Sequence, residues 1–167
     1  ANAEVALTEA LPPAPLLRKD KLADRDYEAP QASRMIWERL KSEGCRSFTY
    51  SWPDDDPVIY LTDEKRLPTL LQPQMGGYAN LSFLLGCSNW ILAANAFMNP
   101  WVHLQTISQN YRAVSLNSAL IAQMEINKIY EKKGHEFIDV FVNLFDQQDE
   151  MCVMTINLTA IYKLRGS

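Results

Sequence analysis

The chain has 167 residues, 47% apolar and 22% charged, enough for one domain with a sizeable core. A formal net charge of −4 leaves no basic surplus to neutralise phosphates, which argues against a nucleic-acid or anionic-membrane partner. Cys45, Cys87 and Cys152 are odd in number and scattered, the pattern of reduced thiols in a cytoplasmic protein and not of a disulfide framework. Glu4 and Glu9 stand where a secretory signal would carry a basic start, and the opening Ala1 reads as the start of a piece cut from something longer.

Residues 1–45 read as an arm followed by a short amphipathic helix, and 46–164 as the main domain. Pro12, Pro13 and Pro15 hold the arm extended. Pro30 suits a first helical turn, and Ala32 to Lys41 places Met35, Ile36, Trp37 and Leu40 on one side, with Gly44 as the stop. Asp54, Asp55 and Asp56 form an acidic turn that lacks the spaced ligands and glycine of a calcium loop, so no metal is expected there. Val58 to Thr62 reads as a short strand, and Leu67-Pro68 and Gln72-Pro73 as loop punctuation.

Tyr78 to Met98 is the organising stretch. Leu81, Leu84, Leu85, Leu92 and Ala96 recur at helical spacing, and Phe83, Cys87, Trp90, Ile91, Ala94 and Phe97 make the opposite side apolar too. From Leu67 to Tyr111 there is no Asp, Glu, Lys or Arg. Asn80, Ser82, Ser88, Asn89 and Asn95 interrupt the run, and no Lys/Arg cluster flanks it, so a central helix enclosed by protein is expected and not a membrane span. Asn80 or Ser82 can cap it, and Asn99-Pro100 ends it.

Beyond Pro100 the period changes to two. Trp101 to Val114 is a long strand, and Ala119 to Tyr130 carries Leu120, Ala122, Met124 and Ile126 on one face. Lys133-Gly134 turns a hairpin, and Phe137 to Phe145 returns with Val140, Val142 and Leu144 opposite in parity to Phe141 and Phe145. A strict alternation from Cys152 to Tyr162 closes the set. Long antiparallel strands with one buried face, joined by short hairpins, predict an α+β architecture in which an antiparallel sheet wraps around the long central helix. The surplus apolar faces predict cover from a partner subunit or second domain.

The runs NPWVHLQTISQNYRAV, IYEKKGHEFIDVFVNLFD and TINLTAIYKL resemble the hotdog-fold proteins of the MaoC-like acyl dehydratase and thioesterase group. The resemblance covers roughly 58–164. It implies a hotdog fold, dimers or fused double hotdogs, and acyl thioesters of coenzyme A or acyl-carrier protein as substrates. The family's hydratases place an Asp or Asn and a His about five residues apart just before the helix, within hydrogen-bond reach of the transferred proton. This chain has no His before His103, so Asp54, Asp55, Asp56 and Asp63 stand without that partner.

Two kinds of reading follow. The chain is an acyl-thioester binding protein with hydratase or thioesterase activity, or it is the non-catalytic half of a double hotdog, in either case a homodimer or a hetero-dimer with another hotdog chain. A carrier pocket without catalysis is a third. The start of a buried helix can polarise a thioester carbonyl, which singles out Gly77, Tyr78, Asn80 and Ser82. Asn89 and Asn95, amides within the apolar helix that need partners, either serve the wall of an acyl tunnel or bond neighbouring backbone. His103 is the catalytic candidate, with no carboxylate near in sequence to orient it. His135 reads as a turn residue and Glu125 as a solvated one. Gly76-Gly77 is no phosphate loop, and no cofactor is expected.

Overall fold

A computed structural model describes residues 12–24, 26–52, 78–115 and 118–166. The acidic turn, the strand expected at 58–62, Asp63 and Gly77 lie outside the described residues.

Helix α1 spans Arg34–Glu43; Ser33 caps it by accepting the Ile36 amide, and Gly44, at φ 91°, ends it. Trp37 and Leu40 are its buried residues, whereas Met35, expected on the same side, is 75% exposed. Strand β1 (Phe48–Ser51) is short and was not evident from the sequence. Helix α2 spans Leu81–Asn95, with Asn80 as its N-cap. Strands β2 (Val102–Asn110), β3 (Ala119–Lys132), β4 (His135–Asp146) and β5 (Cys152–Lys163) follow.

The five strands form one antiparallel sheet in the order β1-β3-β4-β5-β2. Lys133 and Gly134 join β3 to β4 with both residues at positive φ, as a tight hairpin requires. The inner face carries Leu120, Ala122, Met124 and Ile126 of β3, Ile138 to Leu144 on alternate positions of β4, and Met154, Ile156, Leu158 and Ala160 of β5, all buried. A register shift between Ile126 and Lys128 moves the parity of β3 by one, so that Ile129 and not Lys128 points inward opposite Ile138.

The sheet wraps α2 on one side. Phe83, Leu84, Cys87, Ile91 and Leu92 are buried against it, each of the large ones contributing about 2 kcal/mol. Leu81 is 50% exposed, and Ser82, Leu85, Asn89 and Ala93 on the opposite face are exposed or half-buried, so the all-round apolar helix is fully covered on one face and partly on the other. No helix among the described residues is long and apolar enough to cross a membrane.

α2 ends before Asn99-Pro100 because long-range pairing captures the chain first. Phe97 donates to the Pro30 carbonyl and accepts from the Ala32 amide, 2.8 Å each. The Asn95 side chain turns back onto the segment before β1: Oδ1 accepts the Arg46 amide at 2.8 Å, and Nδ2 donates to the Arg46 carbonyl at 3.1 Å and to the Ile91 carbonyl at 3.0 Å. Asn95 is fully buried, so Asn95→Ala leaves both Arg46 backbone groups unpaired. A loss of about 3 kcal/mol is expected in urea unfolding, within the range for orphaned buried groups; a loss under a few tenths would show that water replaces the amide.

Candidate functional site

The first turn of α2 is assembled from two chain segments. Tyr78, 41% exposed, bridges to Ser115, and the Ala79 amide donates to the Val114 carbonyl at 2.8 Å. Asn80 is buried, and its Oδ1 accepts the Phe83 amide at 2.8 Å. The amides of Leu81 and Ser82 have no hydrogen bond among the described residues. They form the positive end of a helix that carries no charged side chain in either terminal turn.

A depression of about 390 Å³ opens beside this turn, between Ala79, Leu81 and Leu84 on one side and the end of β2 with its following loop, Asn110 to Val114, on the other. Its one charged wall residue among the described residues is Arg112, which donates to Asp149 at 2.6 Å and holds that carboxyl below its ordinary range. The loop was not singled out in the sequence. Its signal was there: Arg112 is the first charge after the uncharged run.

Ser82 and Asn89 are seven residues apart, two turns, and share the open face of α2. Between them Gly86 leaves room for the Trp90 ring: a Cβ at Gly86 would stand 3.1 Å from the indole. The Asn89 Oδ1 is buried without a hydrogen-bond partner.

His103 sits at the opposite end of β2 from Asn110, about 23 Å away at 3.3 Å per residue, so one chain does not bring it to the first turn of α2. It stacks on Trp101 and its Nε2 lies 2.6 Å from the Thr106 Oγ1. No carboxylate orients it among the described residues. Burial lowers its pKa from 6.5.

The remaining candidates are structural. His135 Nδ1 accepts the Arg165 amide at 3.0 Å beside the hairpin. Glu125 pairs with Arg18 of the arm and is not simply solvated. All three cysteines are buried and free, with burial pushing Cys45 up to about 12 and Cys152 to about 11, so neither is a thiolate at neutral pH. Among the described residues no cluster could hold a metal.

The described geometry therefore supplies helix-terminal amides, an apolar track and a depression, with no proton-transfer group at the same place. Comparison with known proteins places the fold. The chain matches the (R)-hydratase of A. caviae involved in PHA biosynthesis at a TM-score of 0.53 and 12% identity, over 70% of this chain and 94% of that one. R-hydratase PhaJ1 of Pseudomonas aeruginosa matches at 0.53 and 13%, over 70% and 78%. This is a hotdog fold. A hypothetical thioesterase of Streptococcus pneumoniae, solved with coenzyme A, matches this hotdog chain at 0.42 and 18%, over 55% and 69%. Some other solved neighbours are matched over less than two thirds of their length, down to 57%. No protein-family model and no curated protein matches in sequence.

The His103 shift has a defined sign. Burial favours the neutral ring, so its contribution to stability is complete above pH 6.5 and is lost as pH falls through the lowered folded value. The His103 Cε1 proton should titrate with a midpoint below 6.5 by NMR; a midpoint above it would reveal a carboxylate partner.

Proposed function

We propose that the chain binds an acyl thioester of coenzyme A or acyl-carrier protein. The thioester carbonyl meets the first turn of α2, and the acyl chain runs along the open face of the helix. The observation that carries this is the pair of amides at Leu81 and Ser82, without a hydrogen bond among the described residues, at the helix end whose Leu81 lines the 390 Å³ depression. Two N–H groups and a helix end bearing about half a positive charge favour an oxygen that gains electron density. Leu81, Leu85 and Ala93 give the acyl chain an apolar track, and the hotdog fold shared with two (R)-hydratases supports the substrate class.

Enoyl hydration or thioester hydrolysis also needs a proton-transfer group. The sequence has no His before His103, and His103 lies a strand-length from the amides. A second copy resolves the distance. β2 is an edge strand with Val102, Leu104 and Ile107 exposed, a surface suited to strand pairing. Antiparallel pairing of two β2 strands about a twofold between Thr106 and Ile107 would set the partner subunit's His103 opposite Asn110, at the rim of the depression. The second reading is a non-catalytic subunit beside a catalytic hotdog chain. It is favoured by His103, which has no carboxylate to orient it among the described residues.

Incubation with a panel of enoyl- and acyl-CoA esters should raise the melting temperature for at least one of them. Turnover by the pure protein selects the enzyme reading, and stabilisation without product selects the non-catalytic one. Neither effect with any ester would sink the thioester assignment. In light scattering the protein should run at twice the chain mass, and Ile107→Lys, which places a charge at the centre of the pairing edge, should give monomers with an unchanged far-UV spectrum. A dimer untouched by the charge would place the interface elsewhere.

A further inference from the structure

A second concave site lies at the other end of α2, and none of the readings above uses it. The arm (Lys19 to Lys21), the last turns of α1 and the segment before β1 enclose a cleft of about 490 Å³. The arm contributes Lys19 and Lys21 to its lining, α1 contributes Arg39 and the segment before β1 contributes Arg46. The carboxylates of the lining are Asp20 and Glu43, and Asp20 is already paired with Arg18. Four cations thus face one carboxylate outside an ion pair. None of the four makes an ion pair among the described residues. In a protein of net charge −4 such a local surplus is not background.

The cleft is built before any ligand arrives. Asn95 grips both backbone groups of Arg46, and the Arg46 guanidinium lies over the Tyr27 ring at 5.7 Å from its centroid. The Tyr27 hydroxyl donates in turn to the Asn95 carbonyl at 3.3 Å. The arm is tied to the same segment: the Ala23 amide donates to the Ser47 carbonyl at 2.9 Å, and the Ser47 amide to the Lys21 carbonyl at 3.0 Å. A guanidinium already ordered loses little freedom on binding, and its fork matches phosphate oxygens. The C-terminal end of α1 opposes an anion with about half a charge, less than the surplus of two left when Asp20 and Glu43 are set against the four cations.

We propose that this cleft binds a diphosphate group, free or as part of a nucleotide. Four cations lining one cleft fit several negative charges spread along a short chain better than a single carboxylate. The net charge of −4 argues against a polynucleotide as the source of those charges. The site is independent of the thioester reading, because Asn95 and Leu81 lie about 21 Å apart at 1.5 Å per residue.

Calorimetric titration of the full chain with inorganic diphosphate and with ADP at low salt tests it. One saturating site is expected, weakening as salt screens the charges. The exposed pair Lys19→Ala/Lys21→Ala should lower affinity about tenfold or more, and Arg46→Lys should also weaken it by losing the bidentate fork, both without change in melting temperature. Lys132→Ala/Lys133→Ala, at the distant hairpin, should leave binding intact. ADP tighter than diphosphate would add a nucleoside contact and equal affinity would place recognition on the phosphates; either supports the site. No saturation with either probe, equal binding of sulfate, or equal losses in the two lysine double variants would overturn it.

Discussion

The burial of one uncharged face of α2 against the sheet is the constraint from which the rest of this structure follows. Phe83, Leu84, Cys87, Ile91 and Leu92 meet β3 and β5, and the inner residues of β4 complete the floor. A helix turning every 3.6 residues cannot hide all its sides behind a single sheet. The polar residues are sorted by that geometry. Ser88, fully buried, donates to the Leu85 carbonyl at 2.7 Å, and Asn80 and Asn95 sit at the two ends, each spending its side chain on backbone groups. The fold therefore has two asparagine-defined poles joined by an apolar rod.

The poles differ in character. At the Asn80 end the walls are nearly neutral, since Arg112 is neutralised by Asp149, and the free groups are main-chain amides. At the Asn95 end the walls are cationic, and the free groups are side-chain ammonium and guanidinium groups. A neutral pocket of amides suits a polarised carbonyl, where charge develops and does not pre-exist. A cationic cleft suits an anion that is charged from the start. The N-terminal arm makes the second pole possible. It is anchored at Gln123, whose side chain accepts the Arg18 amide at 2.9 Å and donates to the Arg18 carbonyl at 2.7 Å, and then at Ser47.

The strands after Pro100 were legible in the sequence because a half-buried antiparallel sheet writes its two faces as an alternation, which held from Met154 to Ala160, while at the irregular ends of β5 Val153 and Ile161 are buried as well. Where the backbone inserts a residue, the alternation misleads, and Lys128 is the case: the shift beside Asn127 is a hydrogen-bonding event with no compositional mark. α2 was read too long for a similar reason. Phe97 and Met98 are apolar, but Phe97 is held by Pro30 and Ala32, a pairing across more than sixty residues that no local pattern encodes. Four-residue β1 offers too few positions for a period to show. The cap at Asn80 was legible, because a buried amide before an apolar run has few other uses. The amides it leaves open beside the 110–114 loop were not, since two distant segments have to meet before a depression exists.

The edge strand β2 carries a further argument. Its inner-face positions, opposite Met154, Ile156, Leu158 and Ala160, are Asn110, Ser108, Thr106 and His103. Four apolar residues on β5 thus neighbour four polar ones on β2. Its outer face carries Val102, Gln105, Ile107 and Gln109, of which the apolar Val102 and Ile107 are exposed. A strand that merely closed a core would have the reverse pattern. Polar groups on the helix side of an edge strand are affordable only where the adjoining space is hydrated or filled by something with polar atoms of its own. Apolar groups on the far side are stable only where another surface covers them. On β2, His103, Ser108 and Asn110 are exposed and Thr106 is half-buried, so the core of the described residues does not cover this edge.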